Sequence, residues 1–164
     1  MAMIRGCDVS AIQCVVPWEK VKEAGVDFAI LRCAIGNEPY VDSKFAANVV
    51  GARDAGLMVG CYLFTYPLRH LDPKAQAQLH ARRADFGGHP FGADLGELPP
   101  ACDLEWPPRE SRAKDGSLVY DWRDKWNVDA PFIRDWSLSY LEEIERIWGC
   151  RPLVYTYPYW WRCV

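Results

Sequence analysis

The sequence predicts an α/β protein built as the wall of a β/α barrel, and three observations point there. Strand-like and helix-like segments alternate from end to end, the pattern of a parallel sheet with crossover helices. The strand segments are near-continuous apolar runs, as expected where helices cover a sheet. Acidic residues gather at strand C-termini, while no Gly-x-Gly-x-x-Gly or phosphate-loop motif follows the first strand, which disfavours a nucleotide fold.

In order, Met3 to Asp8 reads as the first strand, with Asp8 at its end. Pro17-Trp18-Glu19 opens a short helix that Gly25 stops, proline being tolerated in a first helical turn. Val26 to Ala34 is the second strand, carrying Arg32 and Cys33. Asp42 or Ser43 is the expected cap of a helix whose Phe45, Ala46, Val49, Val50 and Ala52 keep helical spacing up to Gly56. Leu57 to Phe64 is the third strand, and Tyr62 and Phe64 share one of its faces. Asp72-Pro73 caps and starts a helix running to about Asp85. Pro99 to Trp106 is the fourth strand, ending in Asp103-Leu104-Glu105, and a polar insertion from Pro107 to Asp129 follows. Ile133, Trp136, Tyr140, Leu141, Ile144, Ile147 and Trp148 form the apolar stripe of the clearest helix, which Gly149 ends. Arg151 to Tyr157 is a fifth strand, placing Tyr155 and Tyr157 on one face.

Composition narrows the function. The 164 residues make one domain, half hydrophobic and a quarter charged, and a net charge of −3 offers no footprint for nucleic acid. No apolar run reaches membrane-spanning length, and the N-terminus lacks the apolar core of a secretory signal, so synthesis in the cytoplasm is expected. Seven cysteines without a Cys-x-x-Cys spacing argue against a disulfide framework and a zinc ribbon. Cys7, Cys33, Cys61 and Cys102 fall in strands and read as buried free thiols. His70, His80 and His89 share no ligand spacing with each other or with the cysteines, so neither a metal nor a cofactor is expected.

The chemistry rests on acids. On a strand, Asp103 and Glu105 point the same way, about 6.5–7 Å apart at Cα. Glycosidic-bond cleavage needs one carboxyl held protonated and another held ionised, and such a pair can supply both. The pattern is short, and most copies in other proteins are solvated acids at a strand end. Aromatic residues form a second group, because pyranose rings present apolar C–H faces that pack on Tyr and Trp. Tyr62, Phe64, Tyr155 and Trp106 are the cleft candidates, followed by Tyr120, Trp122 and Trp126, whereas Trp136 and Trp148 belong to the helix stripe. Arg32 either faces the mouth and pairs with an acid there or makes a structural ion pair.

Several stretches resemble glycoside hydrolase family 25, the bacterial and phage muramidases. Asp8-Val9-Ser10-Ala11-Ile12-Gln13 with Trp18 is similar to the family's opening, and Tyr40 to Asn48 with Ala52 and Ala55-Gly56-Leu57 to its second helix. Gly60-Cys61-Tyr62-Leu63-Phe64, Asp103-Leu104-Glu105 and Gly149 to Thr156 look like its third, fourth and fifth strands. The resemblance covers nearly the whole chain in order. It implies a flattened β/α barrel, here incomplete with about five of eight strands, that hydrolyses the β-1,4 bond between N-acetylmuramic acid and N-acetylglucosamine. Glu105 would be the general acid, Asp103 would orient the acetamido group or stabilise positive charge, and Asp8 would line the cleft. The family is described as using the substrate's acetamido oxygen as nucleophile, and an inverting route has also been argued.

Two departures stand out. Arg32-Cys33-Ala34-Ile35-Gly36 replaces a Lys-Ala-Thr-Glu-Gly-like segment, removing an acid. The family's last three strands, with a late cleft aspartate, have no counterpart before Val164. The expected partners are therefore peptidoglycan polysaccharide at the bacterial cell wall and a complementing chain, or self-association through open barrel edges. The alternative to an enzyme is a non-catalytic peptidoglycan-binding or structural remnant of such a domain.

Overall fold

A computed structural model describes residues 3–36, 40–84, 96–105, 110–112, 115, 117–121 and 127–161. Five strands form one parallel sheet: β1 (Gly6–Val9), β2 (Phe28–Ile35), β3 (Met58–Phe64), β4 (Ala101–Asp103) and, after a small hairpin, β7 (Leu153–Tyr155). Their spatial order is their chain order, with no reversal. A doubly wound sheet reverses direction at a switch point; an unreversed sequence of neighbours is the wall of a curling half-barrel.

Helices α1 (Trp18–Glu23), α2 (Phe45–Asp54), α3 (Pro73–Arg83) and α4 (Ala130–Trp148) link these strands, and α5 (Pro158–Trp161) follows β7. Helix α3 packs on α4, where His80 lies against Trp148 with ring centroids 5.1 Å apart and Trp136 stacks on Tyr140. The ends are locally encoded. Asp72 and Asp129 cap α3 and α4 by accepting from Ala75 N and Phe132 N, at 2.7 and 2.8 Å. Gly149 closes α4 in the left-handed region, at φ 69°, donating its N–H to Glu145 O. Inside α2, Gly51 serves packing: a Cβ there would sit 2.5 Å from Trp18 of α1.

The structure corrects three expectations and adds detail to a fourth, the polar insertion. The fourth strand stops at Asp103, so Glu105 lies beyond it, although Leu104 N still donates to Tyr155 O at 2.9 Å. The cap of α2 is Lys44, without a side-chain bond; Asp42 is used differently. Part of the polar insertion is an antiparallel hairpin of β5 (Glu110–Arg112) and β6 (Leu118–Asp121). Of the strand cysteines, Cys33, Cys61 and Cys102 are fully buried, but Cys7 only partly. Among the described residues no helix is long and apolar enough to cross a membrane.

The sheet is unevenly covered. Leu31, Leu63 and Leu104 are sealed in the core, whereas Leu153, Val154 and Tyr155 of β7 are 47, 45 and 56 % exposed. Among the described residues β1 and β7 each have one unpaired edge.

Candidate active site

Strand register stacks the cleft-facing side chains in rows, because partners across a parallel ladder lie side by side. Asp8 is level with Ile30 and Gly60. Arg32, Tyr62 and Ala101 make the next row, and Ile35, Phe64, Asp103 and Tyr155 the row nearest the strand C-termini. Glu105 follows two residues beyond Asp103. The rows climb toward the end of a parallel sheet where loops can build chemistry.

Thr65 fixes the end of β4. Its N–H and its hydroxyl both donate to Asp103 O, at 3.1 and 2.6 Å, and the side chain is wholly buried. Beyond it, Gln76 clamps Tyr66 from both sides, accepting from its N–H and donating to its carbonyl. Gly36 admits that clamp, since a Cβ there would lie 2.0 Å from Gln76 Oε1.

Asp103 is 6 % exposed, and its Oδ1 is buried without a hydrogen-bond partner among the described residues. Burial first, then the negative charges of Glu105 and Asp8, push its carboxyl up to about 8, while Arg32 pulls the other way. Burial and then Asp8 also raise the half-buried Glu105. Tyr62 is raised by burial and by the surrounding acids, against Arg32. Tyr155 is raised chiefly by Glu105. These couplings place Asp8, Asp103, Glu105, Arg32, Tyr62 and Tyr155 in one electrostatic neighbourhood. Phe64, half-buried, meets Tyr66 edge to face at 5.5 Å.

Arg32 resolves into a structural ion pair that still acts on the acids. Its Nε donates to Asp42 Oδ2 at 2.9 Å and its Nη2 to Tyr40 OH at 3.2 Å. Asp42 is the residue that sequence reasoning assigned to a different task. It is 2 % exposed, and besides Arg32 it accepts from Ala11 N at 2.9 Å and Lys44 N at 3.0 Å. It thereby fastens the turn after β1 and the start of α2 to Arg32. Only its position just after the second strand hinted at this. Trp106, Trp122 and Trp126 lie outside the described residues, and the side chain of Tyr120 is likewise not described.

Two hollows among the described residues lie away from Asp8, Asp103 and Glu105. One, of about 500 Å³, lies among Met3, Ile4, Arg5, Gly25, Asp27 and Met58, and the other beside α3. Along the half-barrel wall Asp8 is exposed, Glu105 half-buried and Asp103 buried.

The fold is shared with known proteins. The chain is 28% identical over 158 residues to Lysozyme M1 of Streptomyces globisporus, a match that covers 96% of this chain and 48% of that protein. The chain thus spans about half the length of the curated relatives it matches. The bacterial lysozyme of Streptomyces coelicolor superposes with a TM-score of 0.73 at 27% identity, covering 98% of this chain and 66% of that one. A family 25 lysozyme of Aspergillus fumigatus shares the fold with a TM-score of 0.75 at 23% identity, covering 98% of this chain and 68% of that one. The match to Glycosyl hydrolases family 25 runs over residues 7–164, and the chain belongs to that family.

Proposed function

We propose that this chain hydrolyses the β-1,4 bond between N-acetylmuramic acid and N-acetylglucosamine in peptidoglycan, with Glu105 as general acid. The observation that carries the reading is the convergence of Asp8, Asp103 and Glu105 at the C-terminal end of a half-barrel, with Asp103 and Glu105 both raised. A general acid must hold its proton near neutral pH, and burial beside another carboxylate is how a carboxyl does so. Glu105 is the more accessible of the two and delivers its proton to the leaving oxygen. Asp103, buried and with an unpartnered oxygen, receives the acetamido group, whose polar atoms supply the missing partner. Asp8 adds negative charge where the sugar ring becomes positive. Tyr62, Phe64 and Tyr155 offer ring faces to the sugars, and Trp106 extends that surface. Arg32, held by Asp42, offsets the acids so that all three fit one cleft.

The exposed apolar strand β7 supports a second element of the proposal. Its free edge and its half-exposed Leu153, Val154 and Tyr155 are where further strands pair with the sheet. The site of action is the bacterial cell wall.

The test is clearing of a purified peptidoglycan suspension, alongside Glu105→Gln and with the new reducing ends identified. Clearing that exposes N-acetylmuramic acid ends, and is lost in the variant, supports the assignment. Binding without clearing points to a peptidoglycan-binding role, and N-acetylglucosamine ends refute the bond assignment.

A further inference from the structure

Behind the cleft, on the helix-facing side of the same strands, lies a group of side chains that the proposed hydrolysis does not use. Cys33 of β2, Cys61 of β3 and His80 of α3 are each 0% exposed. Their two sulfurs and a ring nitrogen all lie within 4.8 Å of one another. The lack of ligand spacing along the sequence therefore does not carry into three dimensions, because crossover connections bring residues from three separate elements to one point.

The arrangement has the donors and the outer support that a metal centre needs. Cys61 Sγ lies 3.2 Å from His80 Nε2. Tetrahedral zinc, with Zn–S near ~2.3 Å and Zn–N near ~2.0 Å, sets its ligand atoms about 3.5–3.8 Å apart, so small adjustments suffice. His80 Nδ1 is 2.9 Å from Tyr140 OH, and a hydroxyl accepting from Nδ1–H leaves the Nε2 lone pair facing the sulfurs. Holding the far ring nitrogen in this way is how outer partners orient a ligating imidazole. Cys102, fully buried on the neighbouring strand β4, is level with Leu63, two residues beyond Cys61. Thiolate and imidazole donors favour Zn²⁺ over the oxygen-seeking Mg²⁺ and Ca²⁺.

We propose that Cys33, Cys61 and His80 form a buried structural site for a thiolate-preferring divalent metal, Zn²⁺ in the first instance, with Cys102 of the neighbouring strand the candidate fourth ligand. The site would bind its ion as the chain folds and release thiol protons. It would staple β2, β3 and α3 one residue away from Arg32 and Tyr62, tying wall rigidity to metal supply.

The test uses the full chain in a Cys14→Ser/Cys150→Ser background, which removes the two thiols that are exposed among the described residues. Refolding with Zn²⁺ and desalting should leave about one metal per chain. X-ray absorption should find two or three sulfurs and one imidazole nitrogen, and Co²⁺ in place of Zn²⁺ should give the intense visible bands of tetrahedral thiolate coordination. Cys61→Ser and His80→Gln should each lower metal affinity at least tenfold. No retained metal, a shell of oxygen alone, or a sulfur shell without imidazole overturns the proposal. Should a variant fail to fold, the absorption shell of the unsubstituted background decides.

Discussion

The two faces of β2, β3 and β4 follow different rules although their residues alternate along one backbone. The helix-facing residues Leu31, Cys33, Cys61, Leu63, Cys102 and Leu104 are at most 1% exposed, and the aliphatic ones among them do nothing but fill space. The cleft-facing residues include the charged or aromatic Arg32, Tyr62, Phe64 and Asp103 among smaller and aliphatic ones, and Asp103 keeps a buried oxygen without a partner among the described residues. Stability is therefore concentrated on one face and, on the proposed function, chemistry on the other, so substitutions at adjacent positions should have opposite signatures.

Glu105→Gln should give the largest contrast. It should lower turnover by about 10²–10⁴-fold, the usual scale for a general acid, with the unfolding midpoint unchanged. Peptidoglycan clearing beside a urea titration measures both quantities, and equal losses in the two would break the division. Leu63→Ala tests the opposite face. It should cost about 2–5 kcal/mol by urea unfolding, while clearing per folded molecule stays near that of the parent.

Asp103→Asn joins both effects with opposite signs. An unfolded aspartate ionises in the ordinary range near ~4 and the folded one at about 8, so the folded state binds more protons between those values. Stability should therefore fall as pH rises through that window and level off above it. The asparagine variant should lack this decline, be more stable than the parent at pH 7, and lose activity. A stability curve that is flat between pH 4 and 8 in the parent chain would remove this reading. The smallest effect is expected on β7, which has no comparably covered face. Val154→Lys should change folding stability by only ~0.5 kcal/mol yet reduce self-association in sedimentation, because charge blocks edge pairing.

Sequence made the architecture legible because its signals are local. Asp72-Pro73 and Gly149 mark helix ends by chemistry that acts within a few residues, and the apolar runs of β2 and β3 report burial directly. The acids were legible for the same reason, as side chains at the ends of apolar runs. What escaped depends on distant partners. Asp42 looked like a helix cap because nothing nearby announces that Arg32 and Ala11 will converge on it. His80 looked isolated because α3 had to be folded back on the sheet before its ring met Cys61. Glu105 was read onto the strand, yet the β4 ladder is only three residues long.

The hub at Asp42 has a consequence for motion. One carboxylate bonds to the amide of Ala11, the guanidinium of Arg32 and the amide of Lys44, and the backbone N–H of Asp42 itself donates to Cys33 O. Three chain segments, the turn after β1, strand β2 and residues 42–44, thus share a single latch. Opening any one of them exposes a buried charge to its neighbours, so the segments should breathe as one unit, and the amides of Ala11, Asp42 and Lys44 should exchange with solvent deuterium at a common rate. This corner of the cleft would then open as one unit or stay shut, without the piecemeal fraying usual for loops at the rim of a barrel.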